Sequence, residues 1–185
     1  MTTHDEQIAG SIRALLTDAA GQLTRSGARH EALARFEPAR RRLLIPRKPV
    51  MTPIGRVWRL GVLLLGVVPL DASAAGEDVT LYATGSTTRA IEPGRPGYQS
   101  ESAEVRRAYR AAAFAGPFER GETVNFDAHP IDLTAEGLRA ASGPVVLEAG
   151  AAMVRWSPST PAALTPFDAY LADRVALLAH PPAGA

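Results

Sequence analysis

The sequence predicts an α+β fold, in which helices pack on a small, mainly antiparallel sheet behind an N-terminal amphipathic helical segment. Residues 4–25 repeat apolar side chains at helical spacing, and residues 56–68 form an almost continuous apolar run rich in β-branched residues. Shorter runs alternate apolar and polar residues, as half-exposed strands do. The chain has 185 residues and no cysteine, which excludes disulfides, thiolate metal sites and a cysteine nucleophile.

The N-terminal part is predicted to be helical. A helix over residues 4–25 ends at Ser26-Gly27, and a second helical piece is expected over residues 28–42. Prolines then favour extended backbone around residues 46–54. We therefore predict a boundary there, between a helical segment at 1–45 and a single α+β domain at 54–180. The apolar stripe of the first helix consists of Ile8, Ile12, Leu15, Leu16, Ala19 and Leu23.

The predicted domain begins with its most apolar stretch. Glycines and β-branched valines favour a strand over a helix at residues 56–68, and an antiparallel neighbour is expected at residues 79–85. The remaining helices are marked by acidic residues in the first turn, by proline at the helix start or by glycine after the helix end. The remaining elements are further strands at 121–128, 144–148 and 152–156, and helices at 102–114, 134–141 and 165–179.

A second interpretation of the apolar stretch concerns localisation. Arginines precede the mostly apolar residues 60–70, and Ala72-Ser73-Ala74 matches an A-x-A cleavage pattern, so that a start at Met51 would create a secretory signal. The run is too short to span a bilayer, which takes about 20 residues. Fifty residues with a clear helical pattern precede Met51. The sequence therefore favours a core strand and a soluble, cytoplasmic protein, with secretion after Ala74 as the alternative.

Asp127 and His129 are the candidate catalytic residues. In a strand these two positions lie on the same side, so a carboxylate and an imidazole could act as an acid–base pair. With Asp132 they are also candidate metal ligands. A strand end at which the same side chains are solvated, or cap a turn, explains them as well. The sequence predicts neither a resident metal nor a cofactor.

A basic run consists of Arg40, Arg41, Arg42, Arg47 and Lys48, five positive charges in nine residues. Such a run could contact nucleic acid or an acidic protein surface. No aromatic residue interleaves with these charges, and no nucleic-acid fold signature accompanies them. A solvated linker accounts for the run equally well. With a net charge of only +1 for the whole chain, the sequence disfavours nucleic acid as a partner.

Three segments carry a resemblance that covers residues 50–178. They are Arg56-Val-Trp-Arg-Leu-Gly-Val-Leu-Leu-Leu, Leu81-Tyr-Ala-Thr-Gly and Gly121-Glu-Thr-Val-Asn-Phe-Asp127. The chain resembles small actinobacterial proteins without an assigned role, some of which carry an automatic glutaminase label. The resemblance implies a bacterial protein and assigns no role to any residue. Serine-dependent glutaminases use a Ser-x-x-Lys pair, which this chain lacks because Lys48 is its only lysine and position 45 is Ile.

Two functions follow from these patterns. The preferred one is a non-enzymatic interaction or accessory domain that binds a protein partner through helix 4–25. The alternative is a small hydrolase-like enzyme, with amide bonds as its candidate substrate and a site near Asp127 and His129. The sequence leaves the substrate, the partner and the oligomeric state open.

Overall fold

The computed structural model describes residues 2–42, 45–67, 79–94, 101–140, 142–157, 160 and 162–182. Four helices and twelve strands lie within these ranges. The helices are α1 (Thr2–Ser26), α2 (Glu101–Phe114), α3 (Ala135–Ala140) and α4 (Phe167–Ala179). The strands are β1 (Glu31–Glu37), β2 (Arg40–Arg42), β3 (Ile45–Arg47), β4 (Val50–Leu60), β5 (Leu63–Gly66), β6 (Leu81–Ala83), β7 (Ser86–Arg89), β8 (Thr123–Phe126), β9 (His129–Pro130), β10 (Val145–Glu148), β11 (Ala151–Arg155) and β12 (Leu164–Pro166).

The predicted α+β class is confirmed. A seven-stranded mixed sheet has the order β7-β8-β1-β4-β5-β6-β9, and a three-stranded antiparallel sheet has the order β10-β11-β12. Most ladders are antiparallel, whereas β1 and β8 pair in parallel, with Ala32 opposite Val124. The predicted helices over 4–25, 102–114, 134–141 and 165–179 correspond to α1 to α4, and strands 144–148 and 152–156 correspond to β10 and β11.

The helix predicted over residues 28–42 is wrong. Residues 31–37 form β1, which pairs with β4 on one side and with β8 on the other. The alanines and arginines of this segment favour a helix locally, but backbone pairing with two strands that lie far away in sequence overrides that preference. Leu33 and Ala34 are buried in the folded chain.

The single strand predicted over residues 56–68 is also wrong, because a turn divides it into β4 and β5. Gly61 lies at that turn with φ of 69°, in the left-handed region that favours glycine. A Cβ atom at position 61 would overlap the hydroxyl of Tyr170. Leu63, Leu64 and Leu65 in β5 are fully buried, and β5 pairs with β6 as the sequence predicts. The proposed cleavage position, Ala74, lies outside the described residues.

The chain forms two compact units, each with its own core. The first comprises Met1–His30, Trp58–Ala83 and His129–Ala185, and the second comprises Glu31–Val57 and Thr84–Ala128. The first core includes Ile12, Leu16, Leu23, Trp58, Leu60, Leu63, Leu65, Leu81, Val145, Val154, Phe167, Tyr170, Leu171 and Val175. The second includes Ala32, Ala34, Met51, Ala90, Ala112, Ala113, Val124 and Phe126, with Phe36, Tyr109 and Phe118 packed against it.

A two-stranded ribbon extends the β1–β4 ladder of the second unit. The last pair of that ladder is Glu37 opposite Val50. Continuing it by one residue in each strand places Pro38 opposite Pro49, and proline has no N–H to donate, so the hydrogen bonding is interrupted there. Three residues beyond Glu37 and Val50 the same register brings Arg40 opposite Arg47, which is the observed pairing of β2 with β3.

Candidate functional site

One face of α1 lines a cleft in the first unit. The apolar stripe of the helix is buried in the core, including Ile12, Leu16 and Leu23. Next to this stripe, Leu15, Asp18, Ala19 and Gln22 follow the i, i+3, i+4, i+7 spacing of a single helical face. Ala19 is buried, whereas Leu15, Asp18 and Gln22 are exposed.

The opposite wall of the cleft is one face of α4. Its lining residues again follow helical spacing, and they are Asp168, Leu171, Ala172, Val175, Ala176, Ala179 and His180. Leu171 and Val175 are buried, so they form an apolar floor, while Asp168 and Ala176 remain exposed above it. Asp168 lies in the first turn of α4, where the helix dipole stabilises a carboxylate.

The cleft between these two helical faces, which we call the α1–α4 cleft, has a volume of about 280 Å³. This is near the lower end of small-molecule sites, which span roughly 300–1,000 Å³. Its floor is apolar, and its rim carries the carboxylates of Asp18 and Asp168. An apolar side chain that enters from solvent would be desolvated on the floor, and a cation next to it would meet a carboxylate at the rim.

Asp127 and His129 both lie at strand ends. β8 ends at Phe126, and Asp127 has φ of 54°, a left-handed conformation that Asp tolerates better than most residues. The chain therefore bends at Asp127, directly after β8. His129 begins β9 and pairs with Ala83. Both side chains are exposed.

Asp132 acts as a turn-forming residue in front of α3. The backbone N–H of Thr134 donates to Asp132 Oδ1 at 2.9 Å, and this hydrogen bond lowers the pKa of the carboxyl below its ordinary value of 3.8. Thr134 Oγ1 in turn accepts from the N–H of Gly137 at 3.0 Å, as the side chain of an N-cap residue does. A Cβ at position 137 would overlap the Asp132 side chain, so glycine is required for this arrangement.

A search of the described residues finds no group of three or more His, Asp and Glu side chains that could hold a metal ion. Nor, within those ranges, is any helix both long enough and apolar enough to cross a bilayer. Asp127 directly follows β8, His129 is the first residue of β9, and Asp132 lies between β9 and α3.

The five residues of the basic run lie in the ribbon of the second unit. Arg40, Arg41 and Arg42 constitute β2, and Arg47 ends β3. Lys48 follows and is exposed. The sequence placed this run in a helix end and a linker, and the structure places it in two paired strands.

The sequence located both helices but did not reveal the cleft beside them. The signal was present in part, because the predicted stripe of the first helix already contained Leu15, which is 37% exposed in the structure. Asp18 and Asp168 could not be recognised as neighbours of one cleft, since about 150 residues separate them and no local pattern links the two helices.

Three comparisons were made, with models of protein families, with curated proteins and with solved structures, and none of them finds a match to this chain.

Proposed function

We propose that this protein is a non-enzymatic interaction domain and that the α1–α4 cleft binds a helical segment of a protein partner. The partner helix presents apolar side chains at i, i+3, i+4, i+7 spacing, with Arg or Lys beside them. The observation that carries this proposal is the combination of an apolar floor, formed by Leu171 and Val175, with a carboxylate rim, formed by Asp18 and Asp168.

The shape of the cleft favours a row of side chains over a single small molecule. Two neighbouring helices form its walls, and each contributes residues along two turns or more. An amphipathic helix laid in such a groove buries its apolar face, which is a recurrent mode of peptide recognition. Exposed apolar area at Leu15 and the small side chains of Ala172 and Ala176 leave room for that approach.

The charge of the rim selects the partner. Asp18 and Asp168 are exposed, so each contributes only a modest attraction to a cation, about 0.2–1 kcal/mol in typical exposed pairs. Two such pairs on either side of a buried apolar contact favour a basic helix over an acidic one, because an acidic helix would meet like charges. Specificity therefore comes from the rim, and most of the binding free energy comes from the floor.

This proposal retains helix 4–25 as a partner-binding element but changes how the helix acts. The sequence suggested only that a protein partner binds through this helix. The stripe residues Ile12, Leu16 and Leu23 are buried in the first unit. The partner surface is therefore the adjoining face, which includes Leu15 and Asp18.

The proposal is tested with a fluorescein-labelled amphipathic peptide of about 18 residues, a length at which a helix becomes stable enough to bind as one. The peptide has leucine at i, i+3, i+4, i+7 spacing and lysine at all other positions. Fluorescence anisotropy measures its Kd for the full chain. We expect the D18N/D168N variant to bind about fivefold more weakly at low salt, since two exposed ion pairs are lost. A176W, which fills the cleft, should abolish binding.

The matched control is E6Q/D173N, which removes one exposed carboxylate from each of the same two helices but outside the cleft. It should bind the leucine–lysine peptide as the wild type does, and both proteins should bind a leucine–glutamate peptide more weakly than the leucine–lysine peptide. Equal weakening in D18N/D168N and in the control, or unchanged binding by A176W, would contradict the proposal.

Hydrolysis at Asp127 and His129 stays the alternative. Both side chains are exposed at strand ends, and the left-handed conformation of Asp127 accompanies a tight approach of Gly85 to its backbone. Close backbone packing explains that conformation without a catalytic role.

A further inference from the structure

The outward face of α2 presents an aromatic ring to solvent. Positions i, i+3, i+4 and i+7 of a helix share one face. The residues at one such set of positions, which we call the α2 face, are Arg107, Arg110, Ala111 and Phe114. On the other side of the helix, Ala112 and Ala113 are buried in the second core. Phe114 is 38% exposed, whereas Phe126 of that core is 1% exposed.

Two arginines accompany the ring of Phe114. The Cζ atom of Arg120 lies 5.5 Å from the ring centroid, a distance at which a cation is attracted to the ring. Arg110 lies one turn before Phe114 on the α2 face. Arg107 already pairs with Glu104 at 2.8 Å. The cations that a partner would meet beside the ring are therefore Arg110 and Arg120.

The charge of the α2 face is opposite to that of the α1–α4 cleft. Residues 105–118 contain three arginines and no carboxylate. The rim of the cleft carries the exposed carboxylates of Asp18 and Asp168, and its floor is apolar. An acidic surface would be repelled by this rim, and a basic one is attracted to it. The α2 face thus combines the two features that the cleft selects, an apolar side chain and cations beside it.

We propose that the occupant of the α1–α4 cleft is the α2 face of a second copy of this chain. Phe114 of one copy lies on the floor formed by Leu171 and Val175 of the other, while Arg110 and Arg120 face the carboxylate rim. This inference rests on the proposed function, because it names the partner of the same cleft. The contact joins two different surfaces, so one copy supplies the helix and the other supplies the cleft.

The expected association is weak. Phe114 already buries more than half of its surface within its own copy, and both rim carboxylates are exposed, so each contact contributes little. We therefore expect a Kd on the order of 100 µM, in the range of transient interfaces.

Sedimentation velocity of the full chain tests the inference between about 1 µM and about 1 mM, a range that brackets this Kd. The wild type should be a 19.6 kDa monomer at the low end and a larger species at the high end. R110E/F114A, which removes the ring and reverses one cation, should stay monomeric, and so should A176W, which fills the cleft. An equimolar mixture of the two variants should form a 1:1 complex, because one retains the cleft and the other retains the α2 face.

The matched control is R35E/V105A. Ala34 of β1 packs in the core that α2 covers, so Arg35 lies on the opposite face of the sheet, where it is exposed. Val105 is exposed on α2 but outside the α2 face. This control should associate as the wild type does. If R110E/F114A does not fold, as judged by circular dichroism, R110E/R120E takes its place in the mixture, since it keeps Phe114.

Three results would overturn the inference: a wild type that stays monomeric at about 1 mM, a mixture that forms no complex, or a control that loses as much association as R110E/F114A. The leucine–lysine peptide separates this inference from the proposed function, because R110E/F114A retains the cleft and should bind the peptide with the wild-type Kd. Peptide binding without self-association would mean that only the second copy is wrong as the partner. Loss of both would contradict the proposed function as well.

Discussion

The hydroxyl of Tyr170 closes the turn between β4 and β5. It donates a hydrogen bond to the carbonyl of Leu60 at 2.9 Å and accepts one from the N–H of Val62 at 3.0 Å. The Tyr170 side chain is buried, its hydrogen bond to Leu60 is buried, and its hydrogen bond to Val62 is part-buried. One hydroxyl therefore satisfies both ends of the turn around Gly61.

Replacing Tyr170 with phenylalanine should destabilise the protein by about 1–3 kcal/mol, because a backbone donor and a backbone acceptor lose their partner. Chemical denaturation of the wild type and of Y170F measures the difference in the free energy of unfolding. Y82F serves as the control, since Tyr82 is only half-buried in β6, and its change should stay within about 0.5 kcal/mol. A Y170F protein as stable as wild type would show that water replaces the hydroxyl.

For single residues, the sequence indicated which local structure each one favours, but it did not indicate which distant residues each one contacts. Gly61 was noticed as a residue that weakens a helix, yet its role at a turn depends on Tyr170, which lies about 110 residues later. For Asp132 the sequence offered a metal site and a turn as alternatives, and its hydrogen bond to Thr134 became visible only with the backbone conformation. Contacts between residues that are distant in sequence leave no local pattern.

Helices were predicted more accurately than strands, and the reason is the range of the interactions that specify them. The periodicity of α1 and α4 lies within each segment, so the sequence alone located both. β1 is rich in residues that favour a helix, and its identity as a strand comes from β4 and β8. The α1–α4 cleft needed both helices and their packing, so neither helix alone predicted it.

The molecule as a whole does not divide at the prolines where the sequence suggested a boundary. The first compact unit combines three separate segments, and the second combines two. α1 contributes Ile12, Leu16 and Leu23 to the same core as Leu171 and Val175 of α4. Prolines in a linker mark a boundary where the chain passes once from one unit to the next. They do not mark units that are assembled from segments distant in sequence.

Expressed alone, residues 54–180 should fail to show a cooperative thermal transition. Burial of the three large side chains of α1 contributes roughly 5–9 kcal/mol, at about 1.5–3 kcal/mol each, which is comparable to the ~5–15 kcal/mol stability of a whole domain. Calorimetry of the fragment beside the full chain measures this. A cooperative transition near the Tm of the full chain would instead support the boundary at 46–54 and an independent domain.

Because α1 and α4 contribute to the same core, that core can form completely only after α4 has been synthesised. About 150 residues separate the end of α1 from the end of α4. At 5–20 residues per second the ribosome needs about 7–30 s to add them. During that interval the apolar stripe of α1 has left the ribosome without the helix that covers it. We expect chaperones that bind exposed apolar helices to have access to α1 during that time.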